Sequence, residues 1–496
     1  MKTWQNFFKG KKVTQMGLGL LGRGVGDAAF LAKHGVDLLV TDLKSKKELA
    51  LSLKKLKKFS NIKFVLGEHK LKDFRNRDFI LKAAGVSLNS LFIAEARKSK
   101  IPIEMDASLF FKLMPKGVTF IGVTGTRGKT TTAYLIYEIL KEFVAVGLLQ
   151  KCSSPTAVRP KVFLAGNIKD TATLPLLEKV KTNDFVVAEL DSWQLQGFGD
   201  SGISPHIAVF TTFYPDHLNY YGSIKLTISS TMEKYFKDKA NIFKYQKKDD
   251  VLILGEQITR LNLKDEKGST FEKTFENLKS RKIIARAADI SKDWKLKIIG
   301  EHNRTNAACA LAVARALKIP NEISRKVLEN FGGVPGRLEF IREIRGVKIY
   351  NDTCATTPDA TIAALRTLSN SPFEKGGGQR PGDLKIESRK IILILGGSDK
   401  GLDMSKLVEE IPKFCKAVFL LPGSGTDKLI SNSQFLISNQ APISNAKNLK
   451  EAVKKAGAIA QKGGIILFSP AFASFGMFKN EYERGEQFNE IVKKLA

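Results

Sequence analysis

Short apolar runs alternate along the chain with longer stretches in which apolar residues recur at helical spacing. This alternation predicts repeated strand and helix units on parallel sheets, so the fold class is expected to be α/β. Strands are predicted over residues 37–40, 118–123, 184–189, 207–210, 251–254, 348–351, 391–395, 417–421 and 464–468. Three of these regions run into glycine-rich turns, TFIGVTGTRGKT, ILILGGSDKG and VFLLPGSGT, at the carboxyl ends where open α/β sheets bind ligands. Pro115 and Gly117 precede a fresh strand, and FGGVPGRLEF (331–340) sets Gly and Pro between a helical segment and another strand. The chain is therefore expected to divide into domains spanning 1–115, 116–335 and 336–496. The stretches 371–388 and 431–447 offer few anchors for a core and read as surface loops or inserted segments.

Composition narrows the class without choosing a function. At roughly 100 to 200 residues per domain, a chain of 496 residues holds about three domains. Hydrophobic content of 43% with 26% charged residues excludes wholesale disorder, collagen and coiled coil. No apolar run approaches the ~20 residues that span a bilayer, and the start, MKTWQNFFKGKK, lacks the apolar segment of a secretory signal. A cytoplasmic location without membrane insertion is expected. Cys152, Cys309, Cys354 and Cys415 form no C-x-x-C, so neither a disulfide framework nor a zinc knuckle is encoded. Eighty Lys and Arg against fifty Asp and Glu leave a formal charge of +30, a field that attracts anions in general. The lysines of residues 44–58 fall on one face of a helical leucine pattern and read as a solvated face. Nucleic acid is not an expected partner, because aromatic interleaving and the known motifs are missing.

The segment 119–140 carries the most chemistry. A β-branched and apolar run ends at Gly125, the turn Gly125-Thr126-Arg127-Gly128 follows, and Lys129-Thr130-Thr131 opens a helical pattern. Glycines let backbone amides approach phosphate oxygens, and the helix N-terminus adds its dipole. Lys129 is expected at the β and γ phosphates and Thr130 at Mg²⁺. The spacing, G-x-x-G-K-T, is two residues shorter than the general phosphate loop. Upstream, Gly17, Gly19 and Gly22 make a G-x-G-x-x-G with Leu20 inside it, and Asp42 ends a strand twenty residues on. Read alone, that pairing is the NAD-binding arrangement of an oxidoreductase. The strand DFVVAEL delivers Glu189 to its carboxyl end, where a carboxylate can hold Mg²⁺. By their surroundings alone, His217 reads as structural, Lys239 as an ordinary lysine beside Lys234, Lys237 and Lys244, and Asn303 as a possible helix cap.

V-T-G-T-R-G-K-T-T-T resembles the signature of the Mur ligases, ATP-dependent enzymes that build the peptidoglycan stem peptide, and of their folylpolyglutamate synthase relatives. Further matches follow in the family's order: Gly166-Asn167-Ile168, the E-L-D-S-W-Q-L of 189–195, Asp216-His217-Leu218, the K-A-N-I-F of 239–243 and the G-E-H-N-R-T-N of 300–306. The resemblance implies a Rossmann-like first domain, a central phosphate-loop ATPase-like domain with a mostly parallel sheet, and a Rossmann-like third domain. It also implies a monomer using ATP and Mg²⁺. In the first domain it assigns Gly17, Gly19, Leu20, Gly22, Asp42 and Asn167 to a UDP-sugar substrate, with Asp42 near uracil, and finds Ala84-Gly85-Val86-Ser87 where the family has S-P-G-[IV]. It implies that Lys239 is carbamylated and joins Thr130, Glu189 and His217 around the metal. Lys129, His217 and Lys239 would thus be catalytic, and Asn303, Arg337 and Asp352 would join the ATP site.

Asn351-Asp352-Thr353-Cys354-Ala355-Thr356 resembles the N-D-S-K-A-T of the family's D-glutamate-adding members, with Cys354 in place of lysine, and Gly336 stands where the family has histidine. With the 396–401 loop and S-P-A-F-A-S-F-G-M-F-K-N (469–480), this implies that Thr356, Lys400, Ser474 and Phe478 bind the amino acid. The substrates implied are UDP-N-acetylmuramoyl-L-alanine and D-glutamate. Alternatives are another Mur ligase, a folylpolyglutamate synthase-like ligase, an NAD-dependent oxidoreductase and a non-catalytic nucleotide-binding protein.

Overall fold

A computed structural model of the chain describes residues 4–20, 22–150, 159–168, 171–221, 228–260, 274–276, 278–369, 390–431 and 442–495. Two compact units emerge. The first comprises Met1–Phe213, Glu233–Ile290 and Thr305–Leu328; the second comprises Tyr214–Met232, Ser291–Arg304 and Glu329–Ala496.

The first unit carries two parallel sheets. One is built from β1 (Lys12–Met16), β2 (Asp37–Asp42), β3 (Ile62–Leu66), β4 (Phe79–Lys82) and β5 (Ile103–Glu104), in the order β3-β2-β1-β4-β5. The other contains β6 (Thr119–Thr124), β7 (Val162–Gly166), β8 (Phe185–Glu189), β9 (Ile207–Phe210), β10 (Val251–Gly255) and β11 (Arg281–Ala285), in the order β11-β10-β9-β6-β8-β7. Helices cover both faces of such sheets, which is why β6, β8 and β9 are nearly continuous in apolar residues. The chain passes from β8 across β6 to β9, so the strand order reverses at β6, and it likewise reverses beside β1. Crevices at the carboxyl ends of strands open at such reversals.

The second unit carries β12 (Glu339–Ile344), β13 (Val347–Asn351), β14 (Ile391–Gly396), β15 (Cys415–Leu421), β16 (Ile443–Asn445) and β17 (Ile465–Phe468), in the order β12-β13-β17-β14-β15-β16. Only β12 runs antiparallel to its neighbour. Alternate residues of β14 face two layers. Ile391, Leu393 and Leu395 pack with Leu407, Ile411 and Phe414, whereas Ile392 and Ile394 pack with Phe468 and Phe488.

All nine expected strands form, with ends within two residues of those read from the sequence. Two expectations need correction. The stretch 431–447 is not loop throughout: Ile443–Asn445 adds a parallel edge strand to β15, and Ala446 is buried in the core. Its three residues pair through their backbone, so side-chain pattern gave no warning. In the lysine-rich segment only Ala50–Leu56 is helical, and Leu51, 74% exposed, lies on the solvent side with Lys54 and Lys55, while Ser52 and Leu56 turn inward. The stretch 371–388 lies outside the described residues.

Candidate active site

The turn after β6 is shaped by what surrounds it. Gly125 has φ 148°, and a Cβ there would lie 2.0 Å from the Thr211 hydroxyl; Gly128 has φ 82°, and its Cβ would lie 2.2 Å from Asn306 Oδ1. Glycine alone fits both positions. From the end of β9, Thr212 accepts the Thr126 amide on its carbonyl (2.7 Å) and the Arg127 amide on its hydroxyl (2.9 Å). The helix Lys129–Gln150 then begins, with Thr130 and Thr131 in its first turn. Lys129 Nζ donates to the carbonyls of Gly125 (3.0 Å) and Thr126 (3.2 Å), which keeps its charge at the rim of the loop.

Two further groups meet the same strand ends. Lys239, near the end of the helix Ile228–Ala240, is only 1% exposed. Its Nζ donates to the Gly125 carbonyl (2.9 Å) and the Thr124 hydroxyl (3.4 Å), and lies 4.9 Å from the centre of the Tyr235 ring. The reading of Lys239 as an ordinary lysine is thereby corrected, because helical spacing separates it from its solvated neighbours. Glu189 ends β8 opposite Val123 of β6 and is 3% exposed. Asn167 Nδ2 donates to its Oε1 (3.3 Å), while Oε2 is buried without a hydrogen-bond partner among the described residues. A buried carboxylate oxygen with no donor suits a cation. Among the described residues, no group of three or more His, Cys, Asp or Glu could hold a metal by itself. Glu189 and a hydroxyl therefore fit a Mg²⁺ that arrives with phosphate ligands. Asp191 caps the helix Ser192–Asp200, accepting the Gln194 amide at 2.7 Å.

In the first sheet, Gly17, Gly19 and Gly22 all take positive φ, and Leu20 is 44% exposed. Asp42 does not project from its strand end. Its Oδ2 accepts the amides of Leu18 (2.8 Å) and Gly19 (3.0 Å), and its Oδ1 accepts that of Lys44 (2.9 Å). The acid is an organiser of the glycine loop.

The remaining expected residues lie in the second unit. His217 sits at φ 54° with its amide on Asp216 Oδ1 (2.9 Å). Lys400 Nζ donates to the Thr356 hydroxyl (3.1 Å) and lies 3.9 Å from Asp216 Oδ1. A reciprocal backbone pair, Ser398 with Ala473, joins the 396–401 loop to the loop bearing Ser474, which is 4% exposed. Thr356, Lys400 and Ser474 thus lie on adjoining loops at the carboxyl ends of β13, β14 and β17, whereas Phe478 packs on the core. Arg484, 1% exposed and not singled out by sequence, ties two of these loops together by donating to the carbonyls of Thr353 (2.7 Å) and Phe472 (3.2 Å). The third glycine turn, at 422–426, is a packing device: Gly425 donates to the Gly397 carbonyl, and a Cβ on Gly423 would lie 2.4 Å from that oxygen. Asn303 Nδ2 turns back to the Ile299 carbonyl (2.8 Å).

Two of the departures from the family pattern, Gly336 and Cys354, touch. A Cβ on Gly336 would lie 3.4 Å from Cys354 Sγ, and the Cys354 amide donates to the Gly336 carbonyl. Burial pushes the Cys354 thiol up to about 11, so it carries no charge near neutrality. Beside them Asp352, 8% exposed, accepts from the Leu338 amide (2.9 Å) and the Ser469 hydroxyl (2.9 Å). Burial lifts its carboxyl to about 7, although the Arg337 charge opposes the shift. The folded chain then holds this proton where the unfolded chain releases it, between about pH 4 and pH 7. Asp352 therefore costs no stability at low pH, and its cost grows as pH rises through that window. Asp352→Asn should raise the melting temperature relative to wild type more at pH 8 than at pH 5 by calorimetry; an equal change at both would disprove the shift.

Residues 123–314 match the family model described as Mur ligase middle domain, and residues 336–472 match the Mur ligase, glutamate ligase domain. The UDP-N-acetylmuramoylalanine–D-glutamate ligase of Roseiflexus sp. is 35% identical, the alignment covering 98% of this chain and 99% of that one. Its counterpart in Borreliella afzelii is 33% identical, with 97% of each chain covered. Among solved structures, the UDP-N-acetylmuramate-alanine ligase of Thermotoga maritima aligns with a TM-score of 0.56 at 20% identity, over 97% of this chain and 99% of its own. The MurF ligase of the same organism, in complex with ADP, gives a TM-score of 0.53 at 17% identity over 92% and 96%. These last two speak to the fold alone. Full-length similarity above 30%, two matching domain models and a shortened phosphate loop backed by a buried lysine lead to one conclusion: the chain belongs to the Mur ligase family.

Proposed function

We propose that this chain joins D-glutamate to UDP-N-acetylmuramoyl-L-alanine at the expense of ATP, in peptidoglycan precursor synthesis in the cytoplasm. The observation that carries the reading is the convergence of Lys129, Lys239 and Glu189 on the ends of β6 and β8. In this reaction the alanyl carboxylate attacks the terminal phosphorus of ATP, forming an acyl phosphate and releasing ADP. The D-glutamate amine then attacks the acyl carbon, and the tetrahedral intermediate expels phosphate to leave an amide. Two anions must meet in the first step. The Gly125–Thr131 turn and the Lys129 ammonium lower that repulsion, so catalysis is chiefly electrostatic and positional. Mg²⁺ bound by Glu189, Thr130 and a carbamate on Lys239 would supply further positive charge at the phosphates.

Asn303, Arg337 and Asp352 are assigned to the nucleotide, and Thr356, Lys400, Ser474 and Phe478 to the amino acid. Gly17, Gly19, Leu20, Gly22 and Asn167 are assigned to the UDP-sugar, with Asp42 bracing their loop. The names of the full-length relatives support D-glutamate as the amino acid. Phosphate release measured with single amino acids tests the assignment. Release requiring both UDP-N-acetylmuramoyl-L-alanine and D-glutamate is expected; release with another amino acid, or none with any, would overturn it.

A further inference from the structure

The end of β4 carries a charged group that the proposed reaction leaves without a role. Lys82 is 1% exposed, and its ammonium donates to the carbonyls of Val86 (2.7 Å), Ala83 (3.2 Å) and Ala84 (3.5 Å). These are its only hydrogen-bond partners among the described residues, and none of them is a carboxylate. Burying an ammonium away from a counter-ion is costly, which makes such a group a candidate for a functional role. Four anions act on it from a distance: Asp106 at the start of the helix Asp106–Leu113, Asp191 and Asp200 at the ends of the helix Ser192–Asp200, and Asp238 on the helix Ile228–Ala240. Their attraction does not offset burial, which pulls the amine down to about 8.

The caged segment, Ala83-Ala84-Gly85-Val86, lies against the glycine loop. A Cβ on Gly17 would lie 2.8 Å from Ala83 Cβ and 3.7 Å from Val86 Cγ2. A trans peptide points its N–H opposite to its C=O. Drawing the carbonyls of Ala83, Ala84 and Val86 onto one ammonium therefore turns the amides of Ala84, Gly85 and Ser87 the other way. None of these three amides donates to a described residue. The adjacent amides of Ala84 and Gly85, and that of Ser87 beyond Val86, whose own amide donates to the Ala83 carbonyl, are left as donors for an anion beside the glycine loop. No proline stiffens this segment, so the cage supplies the constraint that fixes its path.

We propose that Lys82 is a positioning residue for the sugar nucleotide: by gathering three carbonyls it aims the amides of Ala84, Gly85 and Ser87 at the diphosphate and keeps a positive charge behind them. The inference rests on the reading that the first sheet holds the UDP portion of the substrate. Calorimetric titration of the full chain with UDP-N-acetylmuramoyl-L-alanine tests it. Lys82→Met is expected to raise Kd about 10- to 100-fold, as loss of charge-assisted hydrogen bonds does, while ATP affinity stays unchanged and reports an intact fold. Wild-type Kd should be flat near pH 7 and climb above about pH 8 by up to about tenfold per pH unit, a dependence absent from Lys82→Met. A merely structural lysine would not produce that difference in profile. Unchanged Kd in the variant, or a wild-type Kd flat to pH 9, overturns the role of Lys82 alone. No binding by the wild type at any pH overturns the substrate reading and this role together.

Discussion

Lys129→Ala is expected to lower kcat by about 10²- to 10³-fold, the loss that follows removal of one preorganised charge contact from a transition state. The ammonium rests on the carbonyls of Gly125 and Thr126, so it stands at the loop rim before any ligand arrives and needs little reorganisation to meet a phosphoryl oxygen. Its charge is needed most as the alanyl carboxylate approaches the terminal phosphate. The effect should therefore fall on kcat more than on KM for ATP. Lys129→Arg should not restore activity, because a planar guanidinium fork does not replace a compact ammonium resting on the carbonyls of Gly125 and Thr126. Steady-state phosphate release decides the matter: a variant turning over like the wild type would remove the phosphate loop from the mechanism.

Lys239→Met is expected to cost a similar factor, about 10² or more in kcat, for a different reason. The side chain is buried against Thr124 and Gly125, where an anion is needed beside Glu189 if a divalent cation is to be held by so few carboxylates. Loss of one proton from the ammonium gives the neutral amine, and addition of CO₂ with loss of a second proton forms an N–C bond and leaves a carbamate anion where a cation stood. Wild-type enzyme supplied with ¹³C-bicarbonate should show a carbamate resonance that is missing from Lys239→Met, and its activity should fall when CO₂ is removed. Full activity in the variant refutes any role for Lys239. Lost activity without a carbamate resonance would leave it acting as an ammonium.

Strands with long apolar runs, such as β6, β8, β14 and β17, were legible because parallel strands buried on both faces leave a strong sequence trace. Strands defined by pairing left little trace. β5 has two residues and β16 three, while β3 and β11 are edge strands interrupted by lysine or arginine. The phosphate loop was equally legible, since its glycines are demanded by neighbours within a hydrogen bond's length. What sequence could not supply was the third dimension around single charges. Lys239 is one of a row of lysines by sequence and a buried donor in space, and Lys82 gave no signal at all. Asp42 was found at the right strand end, but its partners proved to be the loop's own amides, because strand spacing says where an acid emerges and not which way it turns.

That inward turn of Asp42 has a consequence for selectivity. In a dehydrogenase the acid at this position greets the adenosine ribose of the coenzyme; here it already accepts three amides of its own chain, those of Leu18, Gly19 and Lys44. A ribose hydroxyl would have to share a carboxylate that already holds the glycine loop in place. A ligand that needs this acid for a ribose competes with the fold itself, whereas one that leaves the acid alone does not.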